Sequence, residues 1–349
     1  MNGHEAKVAI LLSGGLDSAM AALHLLRHGC QVQGVHLRLI EDQTGSRQAT
    51  AMSRFLGIPL AVLDLRQAFH QQVIHYFVQG YSLGYTPNPC VQCNAIIKFG
   101  QAWDLLAGQG VTHLATGHYA RVAKAADGSF QILRGLDKRK DQSYFLCRLP
   151  RQLLPHLILP LGELTKGAVK EEAHKLGVAA LSRHQESQEL CFIKEKRYAD
   201  FLRSWPGWRS SPGEVLDREG RLLGWHRGLE YYTVGQRRGL GLPDREPYYV
   251  LDIQPETNRL VVGHRNELQA PGLLATRMNW LIEPPPFPLT AQAVIRYRHP
   301  GVQAYLEPLG TSGLRVIFAT PQTGVAPGQA VAFYQGDLLL GGAWIEKRL

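Results

Sequence analysis

A short glycine-containing segment near the N-terminus has the residue types of a phosphate site. Residues 13–18 read Ser-Gly-Gly-Leu-Asp-Ser, between an apolar run and the start of a helical pattern. The two glycines allow a tight turn that directs backbone N–H groups at an anion, and a helix start adds the positive end of its dipole. The segment is neither a Walker P-loop nor a G-x-G-x-x-G fingerprint. We expect it to bind a phosphate or pyrophosphate; the alternative is an ordinary strand-to-helix turn capped by Ser13 or Asp17.

Cysteines form the second group of residues that could carry chemistry. Cys90 and Cys93 make a C-x-x-C motif stiffened by two prolines, which brings two sulfurs within reach of one ion or of each other. Two thiolates do not complete a tetrahedral metal site, and we expect the third thiol from Cys191, about a hundred residues further on. Cys30 and Cys147 have the surroundings of buried small hydrophobic residues. Five cysteines in 349 residues indicate thiol or metal chemistry rather than a disulfide scaffold.

The first half of the chain alternates strand-like and helical patterns, which predicts a doubly wound parallel sheet with helices on both faces. The strand-like runs are 8–12, 32–37, 60–64 and 113–116, and the helical patterns are 17–28, 48–56, 67–80, 96–109 and 165–176. We therefore expect an α/β domain over residues 1–204. Its glycine segment follows the first strand directly.

From about residue 206 the pattern changes to short strands broken by glycine and proline, which predicts an all-β second half. The strand candidates are 214–216, 231–234, 248–253, 259–262, 292–297, 302–306, 314–318, 330–334 and 338–345, with a proline-rich stretch at 283–288. We expect a small β-rich central domain over 205–272 and a C-terminal β-barrel over 273–349.

Charge and composition favour a nucleic-acid partner without requiring one. The chain has 38 Lys and Arg and 29 Asp and Glu, so its net charge is +9. Residues 1–205 contain 23 Lys and Arg and 16 Asp and Glu, and therefore carry +7 of that net charge. The segment between positions 134 and 151 contains six Lys and Arg residues but only two Asp residues. This segment could be a surface that binds RNA, or a basic loop exposed to solvent. We see no membrane-spanning run and no signal peptide, and expect a soluble cytoplasmic protein.

Taken together, these motifs resemble those of one family. The glycine segment resembles the signature of the PP-loop ATP pyrophosphatases, which cleave ATP to AMP and pyrophosphate. The ordered motifs TPNP-x-x-x-CN (86–94), ATGHYAR (115–121), KDQSYFL (140–146), SQELCFI (187–193), YTVGQRRGLG (232–241) and IRYRH (295–299) resemble the tRNA-uridine 2-sulfurtransferases, in that family's order and over nearly the whole chain.

The resemblance implies that ATP, with Mg²⁺, adenylates the C2 carbonyl of the wobble uridine in the tRNA anticodon arm, and that sulfur then displaces AMP to leave 2-thiouridine. It implies Cys93 as nucleophile, Cys191 as the residue that accepts persulfide sulfur, and catalytic roles for Cys90 and Asp17. The nucleotide would be bound by Leu12, Ser13, Gly14, Gly15, Leu16, Asp17 and Ser18, with Leu37 and Gly117 lining the adenine pocket. The tRNA would be contacted by Asn88, Pro89, Cys90, His118, Lys140, Asp141, Gln142, Arg296, Tyr297 and Gln329.

Some positions depart from the family pattern. Many members carry Asp where this chain has Cys90, so three thiols are expected in one site. Cys90, Cys93 and Cys191 could hold a 4Fe–4S cluster with one iron left open for sulfide, or could work through persulfides and disulfides. The three thiols favour the cluster slightly. Tyr85 and Glu186 replace a common Arg and Asp, and the segment 40–50 is short.

The sequence is also compatible with other functions. The sulfur would come from a persulfide relay protein or a cysteine desulfurase. A PP-loop thiolase that modifies cytidine or another uridine position is one alternative, and an amide-forming ligase of the same superfamily is disfavoured because it needs no thiol. A non-catalytic, cluster-carrying RNA-binding protein is the alternative from a different class; release of pyrophosphate from ATP with tRNA bound would separate it from an enzyme.

Overall fold

The computed structural model describes residues 7–41, 43–181, 190–193, 197–243 and 245–349. Glu186 and the first three residues of the SQELCFI motif lie outside these ranges. In the described ranges, no helix combines the length and the apolar character needed to cross a membrane. The chain forms an α/β domain, a four-stranded central β-sheet and a C-terminal β-barrel, which confirms the fold class expected from the sequence.

The α/β domain is built on a five-stranded parallel sheet. Its strands are β1 (Lys7–Leu11), β2 (Gln31–Arg38), β3 (Leu60–Asp64), β4 (His113–Ala115) and β7 (Leu157–Ile158), in the order β3-β2-β1-β4-β7. Alternate residues of β1 enter different hydrophobic clusters on the two faces of the sheet, as expected for a strand buried on both sides. The strand order reverses between β1 and β4, and ligands of such sheets bind at the carboxyl ends of strands at this point.

Helices cover both faces of this sheet. They are α1 (Leu16–Arg27), α2 (Thr44–Leu56), α3 (Arg66–Phe69), α4 (His75–Ser82), α5 (Pro89–Cys93), α6 (Ala102–Ala107), α7 (Lys166–Lys175), α8 (Val178–Leu181) and α9 (Tyr198–Arg203). Two π-helical segments, His70–Ile74 and Asn94–Gln101, make α3 continuous with α4 and α5 continuous with α6. The 3-10 turns Ser143–Leu146 and Arg151–His156 precede β7 in the chain.

The C-x-x-C motif lies in a helix, although the sequence pattern predicts this helix only from about residue 96. Pro89 occupies the first helical position, where its missing N–H and fixed φ cost nothing. The Asn88 side chain caps the helix by accepting a hydrogen bond of 3.2 Å from the Val91 N–H. The prolines therefore start the helix rather than interrupting it, and Cys90 and Cys93 come within its first turns.

The central domain contains β8 (Gly213–Leu216), β9 (Leu222–His226), β10 (Tyr249–Gln254) and β11 (Arg259–Gly263), in the order β10-β11-β8-β9. Its core includes Val215, Tyr232 and Val250. The strand expected at 231–234 is wrong: a 3-10 turn, Leu229–Tyr231, comes first, and irregular chain follows it. The 3-10 turns Pro255–Thr257 and Arg265–Leu268 complete the domain.

The C-terminal barrel closes because β12 pairs with both β15 and β17. Its strands are β12 (Ala270–Trp280), β13 (Leu289–Val294), β14 (Val302–Leu309), β15 (Gly313–Gln322), β16 (Ala330–Gln335) and β17 (Leu338–Arg348). A hairpin of the α/β domain, β5 (Ala120–Lys124) and β6 (Phe130–Arg134), extends this sheet through β6 and β17. β12 runs through position 272, at which the sequence predicts the boundary between the central domain and the barrel. The domain limits stay a prediction.

Candidate active site

The glycine segment forms a tight loop between β1 and α1, at the point where the sheet order reverses. Gly14 has φ +81°, and a Cβ added there would lie 2.5 Å from the Cβ of Gln48, so both its conformation and its space require glycine. Ser18 donates a hydrogen bond of 2.9 Å to the Gly15 carbonyl and accepts one of 3.3 Å from the Ser13 N–H. This loop has the form expected of an anion site, and five of its residues line a large cleft, namely Ser13, Gly15, Leu16, Asp17 and Ser18.

The other residues expected around the nucleotide lie behind this loop. Gly117 follows β4 and approaches the loop so closely that a Cβ there would lie 2.8 Å from the Asp17 carbonyl carbon. Leu12 is buried in the core under the loop, and Leu37 packs against two hydrophobic clusters, one of which contains Cys93. Leu16 lines the cleft. The nucleotide roles of these residues stay predictions.

Asp17 forms an ion pair that the sequence does not reveal. The Lys166 ammonium lies 2.5 and 2.7 Å from the two Asp17 carboxylate oxygens, and the Tyr119 hydroxyl donates a hydrogen bond of 2.9 Å to the same carboxylate. Lys166 is buried at the start of α7, where Thr165 caps the helix by accepting a hydrogen bond of 3.2 Å from the Ala168 N–H. A buried lysine therefore supplies positive charge directly beside the loop expected to bind phosphate.

The cleft beside this loop has a volume of about 2230 Å³ and is bounded by all three parts of the molecule. Its charged lining is almost entirely basic: the only carboxylate among the described lining residues is Asp17. The Lys and Arg that line it are Lys140, Lys166, Lys170, Arg197, Arg227, Arg238 and Arg298. A cleft with this charge attracts polyanions such as ATP and RNA.

Three cysteines meet at this cleft. Cys90 and Cys191 line it and are exposed, whereas Cys93 is buried beneath it. The three sulfurs are close enough to interact electrostatically, and Ile193 packs in the same hydrophobic cluster as Cys93. Cys30 and Cys147 lie elsewhere: Cys147 is fully buried and Cys30 packs against another cluster. The structure thus brings together the thiols that the sequence selects.

The protein environment disfavours ionisation of these thiols, and Lys98 opposes that effect. Burial raises the pKa of Cys93 to about 12. Cys90 and Cys191 are exposed to the cleft, but the surrounding protein removes much of the water near their thiols and this desolvation raises their pKa values, while the positive charge of Lys98 lowers the pKa of all three. Lys98 lies in the π-helical segment that follows the C-x-x-C motif, and such segments are frequent at functional sites. Among the residues that the structure describes, no carboxylate forms an ion pair with Lys98.

Replacing Lys98 by methionine should slow alkylation of the cleft thiols. Only the thiolate reacts, so the rate rises about tenfold per pH unit below the thiol pKa. Loss of the positive charge raises the pKa further and lowers the thiolate fraction at a given pH. We expect iodoacetamide to modify Cys90 and Cys191 about 5-fold more slowly at pH 8, as followed by peptide mass spectrometry. Lys98→Arg should keep the wild-type rate.

Lys175→Met is the matched control for this substitution. Lys175 is exposed on α7 and pairs with Glu171 at 2.7 Å, so its removal changes the net charge equally without affecting the thiols. Equal alkylation rates in Lys98→Met and Lys175→Met would contradict the assigned effect of Lys98.

Most residues expected to contact tRNA lie around the same cleft. Asn88 and Gln329 are joined by a hydrogen bond of 3.2 Å, and Gln329 also donates to the Thr86 carbonyl at 2.9 Å. These bonds attach the barrel to the segment that begins the cysteine helix. The members of the expected set that line the cleft are Asn88, Pro89, Cys90, Lys140, Gln142, Tyr297 and Gln329.

The remaining three residues of that set have structural partners. Asp141 accepts hydrogen bonds of 2.9 and 3.0 Å from the N–H groups of Gly135 and Ser143, so its carboxylate holds the KDQ turn together. Arg296 donates to the Thr323 carbonyl at 3.1 Å. His118 bonds Thr116 at 2.8 Å, and burial followed by the charge of Lys98 lowers its pKa to about 3. His118 is therefore neutral at physiological pH and offers RNA no positive charge.

The basic segment 134–151 does not form one RNA-binding surface. Arg134 lies 3.3 Å from Asp141 and stacks over the Tyr334 ring, Lys138 lies 2.6 Å from Asp337, and Arg151 lies 2.5 Å from Glu283. Two of these ion pairs join the α/β domain to the barrel. Of the Lys and Arg residues in this segment, Lys140 lines the cleft.

The chain also matches known families over nearly its whole length. Residues 6–195 match the model described as the tRNA methyl transferase HUP domain, residues 200–264 the tRNA methyl transferase PRC-barrel domain, and residues 270–345 the aminomethyltransferase β-barrel domain. With the glycine loop at the switch point of a parallel sheet, these matches define a nucleotide-binding HUP-domain enzyme that carries two β modules.

Curated relatives make the assignment narrower. The tRNA-specific 2-thiouridylase MnmA of Carboxydothermus hydrogenoformans is 43% identical over 359 residues, covering 98% of each chain. The proteins of the same name from a Synechococcus strain and from Gloeothece citriformis are 41% and 39% identical, each over 98% of this chain and over 94% and 99% of their own lengths. The chain belongs to the tRNA-specific 2-thiouridylase family.

Proposed function

We propose that this protein uses ATP to replace the C2 oxygen of the wobble uridine of tRNA with sulfur. The observation that carries the proposal is that the glycine loop and the thiols of Cys90 and Cys191 line one basic cleft, with Cys93 directly beneath. The family relationship supports the same activity. One flipped-out base in this cleft meets both the nucleotide and the sulfur.

The first step activates a poor leaving group. The uridine O2 attacks the α-phosphorus of ATP, the bond to the β-phosphate oxygen breaks, and pyrophosphate leaves. The glycine loop binds the phosphates through backbone N–H groups, and Lys166 beside Asp17 stabilises the charge that grows on the departing pyrophosphate. Asp17 also provides the single carboxylate that a Mg²⁺ bound to nucleotide phosphates commonly requires. When bound, Mg²⁺ neutralises phosphate charge.

The second step transfers sulfur without an oxidant. Cys191, exposed in the cleft, receives a persulfide from an external donor. Its terminal sulfur attacks C2, the C2–O bond breaks and AMP leaves. The Cys93 thiolate then attacks the Cys191 sulfur and breaks its bond to the transferred sulfur, so that a Cys93–Cys191 disulfide forms and the transferred sulfur stays on C2 with the electron pair of the broken bond. A thiol reductant returns both cysteines to the starting state.

An iron–sulfur cluster would need three thiolates placed around one metal group. In the part of the chain that the structure describes, no three His, Cys, Asp or Glu side chains are arranged to hold a metal ion. Cys90, Cys93 and Cys191 as placed therefore form no three-ligand site for a single metal ion, and we derive no step through a cluster. Cys90 takes the place of a carboxylate that many family members carry beside the target base.

In this proposal the anticodon arm lies in the basic cleft, whose lining includes Lys140, Tyr297 and Arg298. Phosphates contact the basic residues, and the unstacked bases of the loop contact aromatic rings. The persulfide reaches Cys191 from a relay protein or a cysteine desulfurase at the open side of the cleft. Because tRNA and ATP meet in the cytoplasm, the proposal locates the protein there.

Mass spectrometry of tRNA nucleosides tests this proposal. Unmodified tRNA is incubated with the protein, ATP, Mg²⁺ and a persulfide donor, and AMP and pyrophosphate are quantified. We expect 2-thiouridine at the wobble position, with one AMP and one pyrophosphate per sulfur. Thiolation elsewhere would favour a thiolase of different specificity, and absence of pyrophosphate would favour a non-catalytic RNA-binding protein. Iron and sulfide analysis of anaerobically purified protein tests the persulfide route.

A further inference from the structure

A second cavity lies on the central domain. It is a groove of about 540 Å³ lined by residues 237–243 together with Pro247 and Tyr248. Arg238 and Gly239 line both this groove and the catalytic cleft, so the two cavities are adjacent. The sulfur-transfer steps described above use no residue of the groove.

The lining of the groove combines positive charge with an ordered aromatic ring. Arg237 and Arg238 are exposed, and among the described residues neither pairs with a carboxylate. Tyr248 is half-buried, and its ring stacks on His264 with 4.7 Å between the ring centroids and 22° between the ring planes. A planar ligand in the groove therefore meets a ring whose orientation is already fixed. This costs little conformational entropy on binding.

These features fit a nucleotide of single-stranded RNA. Loop bases are bound by stacking on aromatic rings while arginines contact their phosphates, and the volume is within the range of small-ligand pockets. We propose that the groove binds one nucleotide of the anticodon loop beside the reacting uridine, with its base against Tyr248 and its phosphate at Arg237 and Arg238. The proposal rests on tRNA being the substrate, and it assigns a second contact to the same RNA.

Binding of a short anticodon stem-loop RNA by the full chain tests the proposal. Tyr248→Ala should weaken binding about 5- to 150-fold, the range of one lost base stack, and Tyr248→Phe should bind as the wild type does. Versions of the RNA that lack one loop base at a time identify the partner. Deleting that base should weaken wild-type binding by a similar factor and have little further effect in Tyr248→Ala. Arg237→Gln should reduce the slope of log K against log salt by about 0.7.

Trp225→Ala is the matched aromatic control. Trp225 is 67% exposed on β9, next to Gly224, at which an added Cβ would meet the groove residue Leu242 at 3.0 Å. Successive residues of a strand point to opposite faces, so Trp225 points away from the groove. We expect its removal to leave RNA binding unchanged.

Two results would overturn the groove assignment. In one, correctly folded Tyr248→Ala binds every RNA with wild-type affinity; in the other, its loss of affinity couples to no loop base. A thiolation assay on the same proteins separates this proposal from the function. RNA binding that depends on Tyr248 without formation of 2-thiouridine would refute the proposed function but support the groove assignment. Formation of 2-thiouridine together with RNA binding that does not depend on Tyr248 would support the proposed function but refute the groove assignment.

Discussion

Asp17→Asn should lower the rate of tRNA-dependent pyrophosphate release by about 100- to 1000-fold. Asp17 is the only carboxylate among the described residues that line the cleft, and it is bonded to both Lys166 and Tyr119. The substitution removes the negative charge that positions Lys166 and would hold a Mg²⁺–phosphate group. Lys166→Met should have an effect of the same size, because the buried positive charge beside the phosphates is lost.

The double variant Asp17→Asn, Lys166→Met separates catalysis from stability. It contains no unpaired buried charge, so its melting temperature should be closer to that of the wild type than that of Asp17→Asn is. If the ion pair is only structural, this protein should regain pyrophosphate release, which would contradict the assignment. Lys175→Met removes an exposed lysine from α7, the helix that begins with Lys166, and should retain full activity.

Cys93→Ser and Cys191→Ser should each reduce formation of 2-thiouridine by about 1000-fold or more, because a serine hydroxyl can neither carry a persulfide nor displace one. Pyrophosphate release and tRNA affinity should stay within a few-fold of the wild type, since the nucleotide loop is untouched. The measurement is parallel quantification of pyrophosphate and of 2-thiouridine in one reaction.

Other cysteine variants provide the comparison. Cys30→Ser should thiolate normally, because Cys30 packs against a cluster formed by α1 and the sheet rather than lining the cleft. Cys90→Asp, which introduces the residue that many family members carry, should retain thiolation if persulfides carry the sulfur. Normal thiolation by Cys93→Ser or Cys191→Ser would remove those residues from the proposed mechanism, and loss of thiolation in Cys90→Asp would favour a three-thiolate cluster.

The parallel sheet and the position of the glycine loop could be predicted from the sequence because both depend on local pattern. β1 and β2 are apolar runs buried between helices, and the loop follows β1 directly. The sequence pattern predicts too late a start for the helix around the C-x-x-C motif, because proline stops a helix in its interior but starts one at the first position. The side-chain cap from Asn88 decides between the two.

Contacts between distant parts of the chain could not be predicted in this way. Lys166 meets Asp17 across 149 positions, and a lysine at a helix start carries no mark of that partner. The hairpin β5–β6 joins the barrel sheet by pairing with β17, which no short window of sequence can reveal. The grouping of Cys191 with Cys93 is expected because the C-x-x-C motif lacks a third thiol, and the family resemblance supports it, but no spacing in the chain specifies the contact.

Mapping the adenylyl group on tRNA tests the central claim most directly, namely that nucleotide and sulfur act on one base in one cleft. The double variant Cys93→Ser, Cys191→Ser is given ATP labelled in its α-phosphate, and the RNA is digested and analysed by mass spectrometry. We predict one adenylyl group per tRNA on the O2 of the same uridine that the wild-type protein thiolates. An adenylyl group on a different nucleotide, or none on tRNA while the wild type thiolates it, would contradict the account.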